Sequence, residues 1–252
     1  MTIDCSTPAQ ISQLRRLWKE AFGDTDAFLD VFFHRAYTPE RSRCITIDGE
    51  VVAALYWFDC TWKEKKLAYF YAVATSQNCR GQGLCRKLME DTHRHLVSLC
   101  YDGCILVPQD AGLYSMYGKF GYKVCSHCRQ FSCVAGDKPI SLLQVTPEEY
   151  AAIRKTLLPE NGVLQEGVTL DFLSTYAQLY AGQGMAMAAY PDEGKLTVCE
   201  LLGDAQAAPE ILAALGFPEG SFCTPGHQQP FAMYRSLTPD TSMPSYFGLA
   251  LN

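Results

Sequence analysis

Gly81 and Gly83 stand in the run Arg80, Gly81, Gln82, Gly83, Leu84 and Cys85, between an apolar stretch that reads as strand and a periodic stretch that reads as helix. Glycine lets a backbone come close to a ligand, and the first-turn N–H groups of a helix have no partner within it. The helix dipole adds positive potential at the same end, so such a loop favours a phosphate anion. Arg80 can add a charge-assisted bond. Arg86 and Lys87 follow closely, either beside further phosphates or on a solvated face. Two familiar phosphate loops are excluded. A Walker loop needs Gly-Lys-Ser/Thr, which is absent. A Rossmann fingerprint needs a third glycine and a ribose-binding acid, and the next glycine here is Gly103. A ligand-free glycine turn is the alternative, because short glycine patterns are common.

The loop needs elements to hold it. Ser6, Thr7 and Pro8 open a helix whose apolar residues (Ile11, Leu14, Leu17, Trp18, Ala21, Phe22) keep a helical period up to Gly23. A second helix is expected over 25–37. Strands over 43–48 and 51–58 join at Asp48 and Gly49, a hairpin signal. The stretch from Leu67 to Thr75 is apolar nearly throughout, as a central strand would be. After the loop come a helix from Leu84 to Leu99, a short strand from Cys104 to Val107, a helix over 111–120 and strands near 122–134. These make a mixed α/β unit over residues 1–135. Residues 136–147, opening with Gly136 and Pro139, mark a boundary. Residues 136–252 then return to the same order: helices over 147–158 and 169–181, a hairpin over 184–201, a helix over 205–215 and a strand from Phe231 to Leu237. A degenerate second copy is the expectation, with no pattern in the tail after Pro239.

The residues around the loop carry a family resemblance. Tyr71 to Thr75, followed by Asn78, Arg80, Gly81, Gln82, Gly83, Leu84 and Cys85, resembles motif A of the GNAT N-acetyltransferase superfamily, Arg/Gln-x-x-Gly-x-Gly/Ala. Cys85 stands where the family prefers Gly or Ala, a mild departure. Leu113, Tyr117, Gly118, Phe120, Gly121 and Tyr122 resemble the family's Tyr-x-x-x-Gly-Phe/Tyr signature. With its GNAT-like second half, which has no glycine loop between Leu201 and Ala214 and so reads as structural or substrate-shaping, the chain is similar to the enhanced-intracellular-survival group. That group carries tandem GNAT folds plus a further C-terminal domain for which 252 residues leave no room.

The resemblance implies a central, mostly antiparallel sheet flanked by helices, and direct transfer of acetyl from acetyl-CoA to a primary amine of a small molecule or peptide. It implies that Val73 and Thr75 bind the pantetheine arm through main-chain groups. The amides of Gly81, Gln82, Gly83, Leu84 and Cys85 would hold the pyrophosphate, with Arg80 beside them. Tyr117 would protonate the departing thiolate, since a phenol is a usable donor; core packing with Leu113 and Phe120 is its alternative. The general base is not visible, because Lys66 to Asn78 contains no carboxylate. Survival-type relatives use a terminal carboxylate, which makes Asn252 a candidate beside a water relay. Asp59, Glu64 and the aromatics Tyr56, Trp57, Trp62, Tyr69 and Tyr71 are candidates for an amine pocket. The rival to catalysis is a non-catalytic module that binds coenzyme A or a partner.

Composition bounds these readings. A net charge of −6 argues against general nucleic-acid binding. No apolar run reaches the roughly 18 residues of a membrane span, and the N-terminus has neither a basic nor an apolar leader region. The 12 cysteines are scattered through periodic segments, which suits free thiols in a reducing cytoplasm. Cys125, Cys128 and Cys133 offer one CxxC on an alternating strand. A structural zinc site supplies four ligands in paired spacings, so no metal is expected. His93 and His95, two residues apart on a helix, face different sides.

Overall fold

The computed structural model describes residues 1–251. The first half runs β1 (Thr2–Asp4), α1 (Ile11–Phe22), α2 (Asp26–Arg35), β2 (Ser42–Ile47), β3 (Glu50–Trp62), β4 (Lys65–Thr75), α3 (Leu84–Ser98), β5 (Gly103–Leu106), α4 (Ala111–Gly118) and β6 (Lys123–Val134). The second runs β7 (Leu142–Gln144), α5 (Pro147–Leu157), α6 (Val168–Leu173), β8 (Gln178–Gly182), β9 (Met185–Asp192), β10 (Lys195–Leu202), α7 (Ala208–Leu215), β11 (Glu219–Pro225) and β12 (Gln229–Ser236). Among the described residues no helix is long and apolar enough to cross a membrane.

Local chemistry explains most boundaries. Gly23 ends α1 with φ 78°, and its N–H donates to the Lys19 carbonyl. Thr25 caps α2 by accepting the Phe28 N–H. Asp48 and Gly49 both take positive φ, 50° and 86°, the turn a twisted two-strand hairpin requires. Thr146 and Glu149 form a reciprocal capping box at α5.

All twelve strands form one sheet, in the order β1-β2-β3-β4-β5-β12-β6-β11-β10-β9-β8-β7. The order repeats itself from either edge. β1 to β5 of the first half correspond to β7 to β11 of the second, and each half sends its last strand between strands of the other. The pairs β4–β5 and β10–β11 are parallel and the rest antiparallel. The second half thus repeats the fold of the first. β12 lies between β5 and β6, so residues 136–251 complete the sheet of residues 1–135.

Three expectations need correction. The segment 122–134 is one strand of 12 residues, long because it pairs with both β11 and β12. The helix expected over 169–181 ends at Leu173, and residues 178–182 form strand β8. The tail after Pro239, patternless in sequence, is buried from Tyr246 to Leu251.

The sheet is covered on both faces. Leu67, Tyr69 and Tyr71 of β4 point into a core with Leu14, Trp18, Leu29, Phe32 and Phe172 from α1, α2 and α6. Ala68 and Phe70 point the other way, onto Leu84, Leu88, Leu96 and Tyr117 of α3 and α4. Burial on both sides is why β4 is apolar almost throughout. A third cluster joins β9 and β10 to α7 through Met187, Leu201, Ile211 and Leu212.

Candidate active site

Between β4 and α3 the chain turns tightly. Gly81 and Gly83 adopt φ 77° and 73°. A Cβ at either would meet nothing within 4 Å, so glycine is required there by conformation rather than by crowding. Gly83 caps α3 without a side chain, and the first ladder bond runs from the Lys87 N–H to the Gly83 carbonyl. The N–H groups of Leu84, Cys85 and Arg86 therefore precede the ladder and face outward from the helix start. Glu20, on α1, accepts hydrogen bonds from the Gln77 N–H at 2.5 Å and the Ser76 hydroxyl at 3.2 Å, tying the loop to α1. Arg80 Nε donates to the Thr75 carbonyl at 3.2 Å.

A cavity of ≈ 500 Å³ opens onto this turn, lined by Val73, Thr75, Arg80, Gly81, Gly83, Leu84 and Cys85, with Phe22, Met116 and Phe120 opposite. Every loop residue singled out from sequence lines it except Gln82, which is exposed beside it. Burial pushes the Cys85 thiol up to about 11, so it is a neutral, small wall residue. Arg86 lines the cavity with its guanidinium 4.7 Å from the Phe120 ring centre. Lys87 is exposed.

The cavity continues along β4. β4 and β5 pair only from Leu67–Gly103 to Tyr69–Ile105, and then part. Ala72 has φ 49°, a left-handed conformation that a β-carbon disfavours. The β3–β4 register also slips nearby, between Ala54 and Tyr56. Such an irregularity bends a strand away from its neighbour. Between the parted strands lies a second cavity of ≈ 300 Å³, lined by Tyr71, Ala72 and Val73 on one side and Val107, Pro108 and Gln109 on the other. Ala21, Phe22, Val73 and Leu113 line both cavities, so the two make one groove.

Tyr117 lines the second cavity and is otherwise buried, 6 % exposed. Burial first, and the nearby Cys85 second, raise its phenol well above the ordinary value, so it keeps its proton. Of the aromatic candidates, Tyr69 and Tyr71 line this cavity. Tyr56 packs in the core against Trp18 and Phe32. Trp57 lies on the opposite face and donates to the Tyr101 hydroxyl, and Trp62 packs against Tyr234. The expected acidic residues are elsewhere: Asp59 accepts the Tyr101 hydroxyl and pairs with Arg41, and Glu64 is exposed in the β3–β4 turn.

Sequence reasoning missed the carboxylate that is present. Asp24, in the α1–α2 connection, is the one charged side chain among the described lining residues, and its Oδ2 accepts the Trp18 indole N–H at 2.7 Å. Also missed was Leu251, which reaches the cavity wall from the buried tail. Asn252, the candidate for a terminal carboxylate, lies outside the described residues.

The remaining candidates are held in structural contacts. His93 is buried with Nε2 2.8 Å from the Tyr122 hydroxyl, and His95 lies 3.8 Å from the Cys5 sulfur. Cys125 donates to the Ala232 carbonyl, and Cys128 accepts from Gln229. Among the described residues no cluster of three or more His, Cys, Asp or Glu could hold a metal. In the second half, Asp204 stands in the turn before α7 and its carboxylate accepts the Gln206 N–H. A negative side chain thus occupies the turn equivalent to the glycine loop.

Residues 2–125 match the family model described as an acetyltransferase (GNAT) domain. No curated protein matches the chain in sequence. Among solved structures, the fold is similar to a GCN5-related N-acetyltransferase from Anabaena variabilis, with TM-score 0.74 and 13% identity over 94% of this chain and 73% of that one. It is also similar to Eis1 from Mycobacterium abscessus, with TM-score 0.69 and 12% identity over 94% and 74%. A GCN5-related N-acetyltransferase from Kribbella flavida gives TM-score 0.68 and 16% identity over 94% and 72%. At such identities the likeness is one of fold. The family model, the topology and the glycine loop agree, and residues 2–125 form a GNAT acetyltransferase domain.

Proposed function

We propose that the chain transfers the acetyl group of acetyl-CoA directly to a primary amine of a small molecule or peptide. The observation that carries this reading is the continuous groove, with unpaired helix-start amides at one end and Tyr117 and Asp24 at the other. The amides of Gly81, Gln82, Gly83, Leu84 and Cys85, with Arg80, would hold the pyrophosphate. The edge of β4 at Val73 and Thr75 would pair with the amides of the pantetheine arm, with Arg80 giving up its bond to the Thr75 carbonyl, and would bring the thioester beside Tyr117. The bound ammonium first loses a proton to water, and the free amine nitrogen attacks the thioester carbonyl. The C–S bond breaks, Tyr117 gives its proton to the departing thiolate, and the second proton shed by nitrogen returns through water to the Tyr117 phenolate. The raised pKa of Tyr117 suits that donation, because a donor must arrive protonated. Asp24, against Trp18, Phe22 and Tyr71, would attract a cationic acceptor by charge and by the aromatic faces.

The test is thermal denaturation with acetyl-CoA, paired with release of free coenzyme A across a panel of primary amines. Acetyl-CoA is expected to raise the melting temperature as a native-state ligand does, and at least one amine is expected to release coenzyme A. Tyr117→Phe is expected to lower kcat about 10²-fold, at the low end of general acid effects; a loss of less than threefold removes Tyr117 from the reaction. Stabilisation without turnover on any amine would favour a binding module, and no stabilisation would sink both readings.

A further inference from the structure

The segment from Tyr246 to Leu251 is buried throughout, yet it belongs to no strand beyond one bridge of Tyr246 to Gly162. A buried irregular backbone must find partners for its N–H and C=O groups. Here side chains from three separate places supply them at every second residue. The Ser126 hydroxyl, from β6, bonds both the N–H and the carbonyl of Phe247, each at 3.0 Å. The Gln165 amide accepts the Leu249 N–H at 3.3 Å and donates to its carbonyl at 2.6 Å. The Tyr69 hydroxyl, from β4, accepts the Leu251 N–H at 3.1 Å.

Behind this row stands a buried ionic centre. Arg154 donates to both carboxylate oxygens of Glu200, from Nε at 2.7 Å and Nη2 at 2.9 Å. Glu200 also accepts the hydroxyls of Tyr150, at 3.2 Å, and of Tyr246, at 2.9 Å. Arg154 further donates to the Val163 carbonyl at 3.2 Å, and the Val163 N–H donates to the Tyr246 carbonyl at 2.8 Å. Gly248 passes directly over this centre: a Cβ there would fall 1.9 Å from Glu200 Oε1 and 2.1 Å from the Tyr246 hydroxyl oxygen. A buried ion pair contributes little to stability compared with an apolar replacement. Its directional bonds instead fix where the segment runs. The segment ends with Leu251 in the wall of the cavity between β4 and β5, in company with Tyr117, Tyr71 and Val107.

We infer that the second half acts in the reaction by holding residues 246–251 as a wall of the acceptor cavity, with Leu251 setting the size of amine admitted and Gln165 as a positioning residue. This rests on the acetyl-transfer reading above. The consequence is a division of labour. Residues 73–85 of the first half would determine affinity for acetyl-CoA, while Gln165 and Leu251 would determine which acceptor fits.

The probes are acetyl-CoA and linear primary amines from ethylamine to octylamine, with the full chain as wild type, Leu251→Ala and Gln165→Leu. Leu251→Ala removes three carbons from the wall, and each buried methylene changes partition severalfold. The kcat/KM ratio of long to short amines is therefore expected to rise about tenfold or more, with the KM for acetyl-CoA within twofold of wild type. Gln165→Leu is expected to raise the acceptor KM at least fivefold, again with acetyl-CoA KM unchanged, and to speed hydrogen exchange at the Leu249 and Leu251 amides. A lower melting temperature with the size ratio unmoved would mean a structural tail, and would overturn the proposal. Leu251→Ala keeps the question decidable if Gln165→Leu fails to fold. Absence of turnover by the wild-type chain on every amine would sink the transfer reading and this inference with it. Turnover that neither variant alters would overturn the inference alone.

Discussion

Under the proposed transfer, Asp24 would bear on the acceptor more directly than any side chain in the sequence motifs. Its carboxylate is fixed by the Trp18 indole at 2.7 Å, and it faces a cavity whose other described walls are uncharged. An ammonium entering there gains a charge-assisted bond, worth about 1.5–3 kcal/mol against a neutral replacement. Asp24→Asn keeps an oxygen for Trp18 and removes only the charge. Steady-state kinetics on the preferred amine should show an acceptor KM raised about tenfold or more, with acetyl-CoA KM unchanged. An acceptor KM within twofold of wild type would mean that Asp24 serves Trp18 alone. Nothing in the local pattern singles out this residue. It follows the glycine that stops α1, and only the approach of α1 to the parted end of β4 brings it to the groove.

At the scale of elements, the β4–loop–α3 unit carries the strongest expectation. Gly83 combines φ 73° with the N-cap position of α3, and its replacement meets no steric barrier. Gly83→Ala therefore measures conformation, at a cost of about 1–2 kcal/mol for a left-handed alanine. Asparagine, which visits that region more readily, should lose less. Urea denaturation should rank Gly above Asn above Ala, and the thermal shift given by acetyl-CoA should fall in the same order. Equal midpoints for all three would show that the loop relaxes freely. This unit was legible because its signals are local: a strand buried on both faces, two glycines and a helical period. The same holds for the Asp48–Gly49 turn and the Gly23 stop. Where partners are distant, the pattern misleads. Leu170, Leu173, Tyr176 and Tyr180 keep a helical spacing, yet α6 ends at Leu173 and Tyr180 pairs with Met187 in the sheet. The tail carries no period because its partners, Ser126, Gln165 and Tyr69, come from across the chain. The loop end of the groove could thus be read residue by residue, whereas Asp24 and Leu251 at the acceptor end could not.

The whole molecule is a pair of like folds joined by exchange of their last strands, and this limits how far the first half stands alone. β12 runs antiparallel to both β5 and β6, so β5 and β6 run parallel to each other. β6 cannot close the gap left by β12 in the same register without reversing its direction. Residues 1–135 alone would expose the edges of β5 and β6 and leave Cys125 without Ala232, its hydrogen-bond partner on β12. Open edges of this kind recruit other chains. Expressed alone, residues 1–135 are expected to aggregate or to form oligomers, although they include all of the family match. Co-expression with residues 136–252 is expected to restore a soluble one-to-one complex that melts in a single transition and binds acetyl-CoA. Size-exclusion chromatography and calorimetry distinguish the outcomes. A monomeric, cooperatively melting fragment 1–135 would show that strand exchange is an addition to a self-sufficient first half. In that case the likeness between halves would record duplication, with no dependence of one fold on the other.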